Sequence, residues 1–214
     1  MKERPILFSS AMVRAILDGS KIQTRRVVKM KPHHQIEQRD DGSPWPWMYD
    51  SERDADWWMP CPHGQPGDQL WLREAYRFLA VHDHVPPREI SGGPVWYEAQ
   101  DEVPFHPSEF GKLRPGMFMP RWASRITLEV TAVRVERLQD ISEADALAEG
   151  IVPRRIGTGD HRTGTRVCYG LACDEAPWAT SAVQAYSYLW ESINGPGSWD
   201  TNPWVWVVEF RRIT

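Results

Sequence analysis

The stretch that decides the fold runs from Ser124 to Arg137 and reads SRITLEVTAVRVER. From Ile126 to Ala132 its apolar residues alternate with other residues, which is the pattern of a strand with one buried face. After Ala132 the alternation continues in the opposite phase, with Val133 and Val135. A change of phase within one long strand indicates a β-bulge or a sharp coil, as found where a sheet closes into a barrel.

Shorter elements flank this strand. A helix over about residues 11–17 is expected, capped by Ser9 or Ser10 and ended by Gly19. The closing segment Trp204–Phe210 is apolar on both faces, which predicts a central strand. The other expected elements are strands at residues 6–8 and 69–74, a strand beginning at residues 27–28, a short helix over 142–148 and a longer helix over 180–193. This order predicts an α+β chain around a small, strongly curved sheet.

Three segments read as insertions into a single domain that spans residues 1–214. They lie at about residues 31–60, 80–118 and 154–177 and are rich in turn-forming residues. Trp45-Pro46-Trp47 is not expected in a central strand, because proline has no N–H to donate to a ladder. Val95-Trp96-Tyr97 is a candidate hairpin strand.

Composition excludes several classes of protein. A net charge of −4 gives no overall field toward nucleic acid or membrane, so a polyanion would need a local patch. No apolar run reaches transmembrane length or forms a signal peptide, which predicts a cytoplasmic protein without membrane contact. Three cysteines make no disulfide framework, and Cys61, His63, Cys168 and Cys173 have poor zinc spacing. We therefore expect no metal and no cofactor.

The segment Gly19–Arg26, GSKIQTRR, carries the candidate chemistry. It follows the first helix, so its side chains are expected in a loop or on a strand edge. Like charge from Arg25 and Arg26 is expected to lower the pKa of Lys21, which turns an amine into a base near neutral pH. Thr24 is a nucleophile that needs such a base. The segment is equally readable as a phosphate cradle, since five basic residues fall within positions 21–31.

Gly19, Lys21, Thr24 and Arg26 match the G-x-K-x-x-[E/T]-x-R signature of the ASCH domain, a PUA-like β-barrel superfamily. The segment Pro66–Leu70 resembles the second strand of that family, and the closing Val-Glu-Phe resembles its last strand. Further stretches resemble larger ASCH-type proteins encoded by phages and prophages, namely residues 4–8, 119–125 and 190–195.

The resemblance implies a small PUA-like barrel flanked by helices, with a cleft between barrel and helices. Small bacterial members of the family hydrolyse the acetyl amide of N4-acetylcytidine with a Lys, a Thr and a Glu. Carried onto this chain, Thr24 attacks the carbonyl, Lys21 accepts its proton, and Glu149 protonates the leaving amine or positions water. Glu143 is the alternative carboxylate.

Eight more residues are candidates for holding the substrate: Arg25, Arg26, Arg73, Glu74, Arg121, Trp122, Ser124 and Arg125. The expected function is that of an amidohydrolase acting on an acylated cytidine-type nucleoside. Two alternatives stay open at this point. One is an RNA- or DNA-binding module, with or without ribonuclease activity, and the other is a phage accessory protein. The expected partner is a modified nucleoside or RNA in the cytoplasm of a bacterial host, and the sequence leaves the oligomeric state open.

Overall fold

The fold was analysed in a computed structural model that describes residues 1–100, 106–157, 165–171 and 179–214. No described helix is long and apolar enough to cross a membrane. In chain order the helices and strands are β1 (Glu3–Leu7), α1 (Ser10–Leu17), β2 (Gln23–Val27), β3 (Gln35–Gln38), β4 (Pro44–Asp50), β5 (Ala55–Trp58), β6 (Gln69–Arg73), β7 (Tyr76–Arg77), β8 (Trp96–Tyr97), β9 (Thr127–Arg137), α2 (Glu143–Ala148), β10 (Ile151–Gly157), β11 (Thr165–Leu171), α3 (Ala182–Asn194) and β12 (Trp204–Arg212).

A five-stranded sheet organises the molecule, in the order β1-β6-β9-β12-β2. β1 runs parallel to β6, and the remaining pairs are antiparallel. The prediction of a central closing strand is confirmed, because β12 lies between β9 and β2. The α+β class is confirmed as well. Among the described residues no ladder joins the edge strands β1 and β2, but the Arg26 side chain on β2 donates to the carbonyl of Leu7 on β1 at 3.0 Å.

The predicted irregularity in the long strand is confirmed. Glu209 of β12 lies opposite Ala132, whereas the next residue, Phe210, lies opposite Val130. Thr131 is therefore the extra residue of a β-bulge, and it moves the apolar residues that follow to the other phase. A bulge also increases local twist, which bends the sheet around its core.

Two hydrophobic clusters cover the two faces of the sheet. Trp206 and Val208 of β12 point into the cluster that includes α1, whereas Val205 and Val207 point into the cluster that includes α3. Alternation along one strand therefore serves both layers, which is why β12 is apolar from Trp204 to Val208. The neighbouring strand β2 likewise has one face toward each layer.

Structure in the insertions exceeds what the sequence indicated. Residues 31–60 contain the sheet β3-β4-β5, and β4, which includes Trp45-Pro46-Trp47, is its central strand. The expectation that these residues avoid a central strand is wrong, because Pro46 enters the ladder as an acceptor only: its carbonyl receives the Met59 N–H at 2.9 Å.

The other two insertions also contain strands. Val95–Tyr97 was a candidate hairpin strand, and β8 indeed pairs with β7. The third insertion contains the hairpin β10-β11, while residues 158–164 and 172–178, including Cys173, lie outside the described part of the chain.

Candidate functional site

Lys21 is held between the ends of α1 and α2. Gly19, with φ of 82°, follows the end of α1, and the Lys21 N–H donates to the carbonyl of Ala15 at 2.9 Å. On its other side Lys21 forms an isolated antiparallel bridge with Glu149. Gly150 has φ of 98°, and a Cβ there would lie 3.1 Å from the Ala15 Cβ and 3.3 Å from the Lys21 Cβ. The backbones approach this closely because position 150 has no side chain.

The Lys21 ammonium and the Glu149 carboxylate form a buried ion pair. Lys21 Nζ lies 2.6 Å from Glu149 Oε2 and also donates to the Glu149 carbonyl at 2.9 Å. The two side chains are 0% and 2% exposed. Glu143 instead accepts from the N–H groups of Ala182 and Val183 at the start of α3. The structure thus places Glu149 at Lys21 and gives Glu143 a helix-capping role.

Arg25 connects this pair to a wider ionic network. Its Nη1 lies 3.2 Å from Glu149 Oε1, and its Nη2 lies 2.6 Å from Glu136 Oε1. Arg134 binds Glu136 and Asp145 from the opposite side, at 3.0 and 2.8 Å. Buried charges are tolerated when they are paired and hydrogen-bonded in this way. Because Lys21 and Arg25 are buried and paired, their charges are used inside the protein.

Burial governs ionisation at this site. It lowers the pKa of the Lys21 ammonium, while the charge on Glu149 opposes the shift and the charges on Arg26 and Arg25 add to it. The direction agrees with the sequence expectation, but the main cause is loss of solvent. Burial, together with the charge on Glu149, raises the pKa of the Tyr186 phenol well above its usual value. Tyr186 is therefore an uncharged hydrogen-bond donor at neutral pH.

Thr24 is 1% exposed and lies behind Arg26. Arg26 Nη1 donates to the Thr24 hydroxyl at 2.7 Å and to the Arg25 carbonyl at 3.0 Å, and Nη2 donates to Leu7. Within the described residues the Thr24 hydroxyl has no acceptor for its own proton. No carboxylate in the same part of the chain lies within 4.0 Å of Arg26, so its guanidinium has only uncharged partners.

The ring of Phe8 is the point on which the motif residues converge. Lys21 Nζ lies 5.7 Å from its centroid and Arg26 Cζ lies 5.2 Å from it. Thr24 is hydrogen-bonded to that same guanidinium. Lys21, Thr24 and Glu149 thus belong to one cluster, although the hydrogen bonds of Lys21 go to Glu149 and Thr24 bonds only Arg26.

A cleft of about 580 Å³ opens in front of this cluster, between the start of α1, strand β2 and helix α3. Arg25 and Arg26 form its floor, with Lys21, Thr24 and Glu149 behind them. The described residues that line it include no Asp or Glu. They are Leu7, Phe8, Ser9, Ser10, Met12, Arg25, Arg26, Val27, Ala75, Gly116, Tyr186, Leu189, Trp190, Ile193 and Asn194.

The remaining predicted binding residues lie outside this cleft. Glu74 and Arg125 form a bidentate ion pair at 3.0 and 3.1 Å. Arg121 pairs with Glu3 at 2.9 Å. Their charges are used inside the protein, so the structure does not bring them together with Lys21.

Three further predicted residues have structural contacts of their own. Arg73 donates to the Met117 carbonyl, and Ser124 donates to the Leu72 carbonyl. Trp122 stacks on Phe78 and donates to the Ile90 carbonyl. These contacts anchor the segment from β7 to the start of β9.

Sequence reasoning missed most of the cleft wall. Tyr186 and Trp190 were recognised only as the apolar side of a helix, and Ser10 only as a helix cap. The spacing of α3 marks which residues are buried but not what they are buried against. No signal in the sequence connects that helix to residues 8–10.

Cys61 and His63 do not contribute to the cleft, and the described residues contain no group of three potential metal ligands. Burial raises the pKa of the Cys61 thiol to about 11. Burial, with the nearby charges of Arg26 and Arg4, lowers the pKa of His63 to about 4.

With the geometry established, the chain was compared with known proteins. No protein-family model, no curated protein and no solved structure matches it. The resemblance to the ASCH family therefore rests on the matching stretches of sequence.

Proposed function

We propose that the chain is an ASCH-type hydrolase, built on a PUA-like barrel, that removes the acyl group from an N4-acylated cytidine-type nucleoside. One observation carries the proposal: Lys21 and Glu149, 128 residues apart in the chain, are in contact at 2.6 Å. The resemblance assigns catalytic roles to a Lys, a Thr and a Glu. Lys21 contacts Glu149, and Thr24 is hydrogen-bonded to Arg26, which lines the cleft.

The ion pair provides the acid and the base. In the proposed reaction a proton passes from Lys21 to Glu149 along their 2.6 Å hydrogen bond. The transfer leaves a neutral amine and a protonated carboxyl group. Lowering of the Lys21 pKa by burial acts in the same direction.

The reaction then proceeds in two balanced steps. The Thr24 hydroxyl attacks the acyl carbonyl, its proton passes to Lys21, and Glu149 gives its proton to the leaving exocyclic amine. Water next attacks the acyl-threonine ester and gives a proton to Glu149, while Lys21 returns one to the Thr24 oxygen. Both steps together restore the starting protonation states.

Arg26 controls access to the nucleophile. Its guanidinium covers Thr24 through a 2.7 Å hydrogen bond, and it lines the cleft that the substrate enters. An incoming carbonyl oxygen or ribose competes for the same donors, which releases the Thr24 hydroxyl. In this proposal Arg26 first releases the Thr24 hydroxyl and then holds the substrate.

The nucleic-acid alternative has less support at this site. A polyanion surface needs several accessible cations, whereas Lys21 and Arg25 are each 1% exposed. A cleft with one guanidinium unpaired among the described residues fits a small ligand better.

Turnover of N4-acetylcytidine, followed by ultraviolet absorbance, tests the proposal. Thr24→Val keeps the shape of the side chain and removes the nucleophile, so we expect activity to fall to background. Glu149→Gln is expected to lose about 10²–10⁴-fold, the usual contribution of general acid–base catalysis. Thr131→Val, an exposed strand threonine at the bulge, is the matched control and keeps full activity.

Absence of turnover by the wild-type protein would refute the proposal. Equal turnover by the Thr24→Val and Thr131→Val variants would refute the assignment of Thr24.

A further inference from the structure

We infer that the cleft binds a phosphorylated ligand, a pyrimidine nucleoside 5′-monophosphate, with the phosphate at the start of α1 beside Arg26. The pyrimidine part of this inference rests on the proposed function, whereas the phosphate part rests on the charges and donors described below. Neither the motif nor the proposed chemistry requires a phosphate.

The first observation is an uncompensated positive charge. The protein carries a net charge of −4, yet the described lining of the cleft contains Arg25 and Arg26 and no acidic residue. Arg25 is neutralised by Glu136 and Glu149. Arg26 is bonded only to the uncharged oxygens of Thr24 and of two backbone carbonyls, which leaves its Nε–H and one Nη2–H free. A guanidinium with free donors and no acidic partner is suited to an oxyanion.

The second observation is the position of the helix α1. The Arg26 guanidinium bonds Leu7, three residues before the first residue of the helix, Ser10. The Ser9 side chain accepts from Met12, and in the described part of the chain the N–H groups of Ser10 and Ala11 have no acceptor. Helix α1 has no acidic residue in its first turn. Free N–H groups and the positive end of the helix dipole thus lie next to the guanidinium.

The third observation comes from the opposite wall and is independent of the helix terminus. Tyr186 is 3% exposed and lines the cleft, and its hydroxyl has no hydrogen-bond partner among the described residues. Trp190 is 4% exposed and lines the same cleft. A buried hydroxyl is normally satisfied, so the open Tyr186 donor points to a ligand that supplies an acceptor.

Together these groups describe a ligand with two parts. The α3 wall is mostly aromatic and apolar, with Leu189 and Ile193 beside the two rings, and suits a flat base. Asn194 uses its amide N–H on the Trp190 carbonyl, which leaves its amide oxygen free to accept from an exocyclic amine. The α1 side supplies charge and N–H donors. A nucleoside monophosphate carries both parts, whereas a nucleoside leaves the charged half of the cleft empty.

Isothermal titration calorimetry with cytidine 5′-monophosphate, cytidine and inorganic phosphate tests the inference. We expect the monophosphate to bind at least tenfold more tightly than either cytidine or phosphate, and the advantage to shrink as salt is raised. Ser10→Asp places a carboxylate in the first turn of α1, where it favours the helix but repels a phosphate. It is expected to keep or raise the melting temperature while abolishing the tenfold preference.

Arg26→Gln is expected to reduce the preference in the same way, and Arg211→Gln, an exposed arginine paired with Glu129, leaves it unchanged. Equal affinities of the monophosphate and cytidine, binding of phosphate alone as tight as that of the monophosphate, or an undiminished preference in Ser10→Asp would each overturn the inference. Because the readout is binding, the inference is tested separately from turnover. Tight, Ser10-sensitive binding of cytidine 5′-monophosphate, together with no turnover of N4-acetylcytidine, supports this inference and refutes the proposed reaction.

Discussion

Breaking the Lys21–Glu149 pair is expected to cost more stability than any surface change. Glu149→Gln keeps the size of the side chain and removes its charge. Lys21 then retains only uncharged acceptors, such as the carbonyl of residue 149 at 2.9 Å, in a site where its side chain is 0% exposed. An uncompensated buried charge costs about 3–5 kcal/mol. Since small domains have about 5–15 kcal/mol in total, this variant loses about a fifth or more of its stability.

The reverse substitution is expected to cost less, because the two partners are not equivalent. In Lys21→Met the Glu149 carboxylate keeps a second cation, Arg25 Nη1 at 3.2 Å, whereas Lys21 in the first variant has no other carboxylate within 4.0 Å among the described residues. The double variant removes both charges together. Its loss in the free energy of unfolding should therefore fall short of the sum of the single losses by about 1–3 kcal/mol.

Urea denaturation at pH 7, followed by tryptophan fluorescence, measures all three variants. The matched control is Glu129→Gln, which breaks the exposed pair with Arg211 and is expected to change stability by less than about 1 kcal/mol. Additivity of the Lys21 and Glu149 variants to within about 0.5 kcal/mol would refute the reasoning. So would a Glu149→Gln loss no larger than that of the control.

Three further outcomes follow from the structure. The pKa of His63 is lowered to about 4 from 6.5, so below pH 6.5 the unfolded chain binds a proton that the folded chain does not. The free energy of unfolding should fall by about 2–3 kcal/mol as the pH is lowered from 6.5 to 4, and above pH 6.5 this contribution of His63 to stability should be complete. A pH series of urea melts should show a flatter profile for His63→Gln. Cys61 is 6% exposed and its pKa is raised to about 11. At pH 8 it should therefore react with iodoacetamide at least about 100-fold more slowly in the native protein than after denaturation. Peptide mass spectrometry measures both rates, and equal rates would contradict its burial. Gly150→Ala should destabilise by about 1–3 kcal/mol, and by more than Gly19→Ala, because both have positive φ but only position 150 has neighbours within 4 Å; the order of the melting temperatures decides.

Elements with a strong local pattern were predictable from the sequence. The alternation in 124–137 and its change of phase anticipated both β9 and the bulge at Thr131, since each inward residue must be apolar. The helix caps Ser9, Ser142 and Ser181 are equally local, because a serine hydroxyl accepts from an N–H three residues ahead. Such signals need no knowledge of the rest of the chain.

The strands in the insertions were less predictable. β4 contains prolines at positions 44 and 46, and propensity argues against such a strand. β4 is fixed by pairing with β3 on one side and β5 on the other, and Pro46 takes part only through its carbonyl. The same applies to β2, which begins at Gln23 rather than at residues 27–28 because β12 pairs with it over Val205–Glu209.

For the site, the sequence by itself determined the residue types and their local spacing. The motif Gly19–Arg26 brings a lysine, a threonine and two arginines within a few residues, and a glycine with positive φ directs them off the helix α1. Those features belong to a short segment, so they are present whatever fold surrounds that segment. They also raised the chemical question of whether Lys21 is a base or a phosphate contact.

Only the tertiary structure shows that Lys21 is buried and paired with Glu149. Burial, which is the main cause of the lowered Lys21 pKa, depends on α2 returning to α1, and that return depends on Gly150 having no side chain. The choice of Glu149 over Glu143 and the wall that Tyr186 supplies likewise join residues more than a hundred positions apart. Charge, solvent exposure and proton affinity are set by what surrounds a side chain, and no local pattern contains that information.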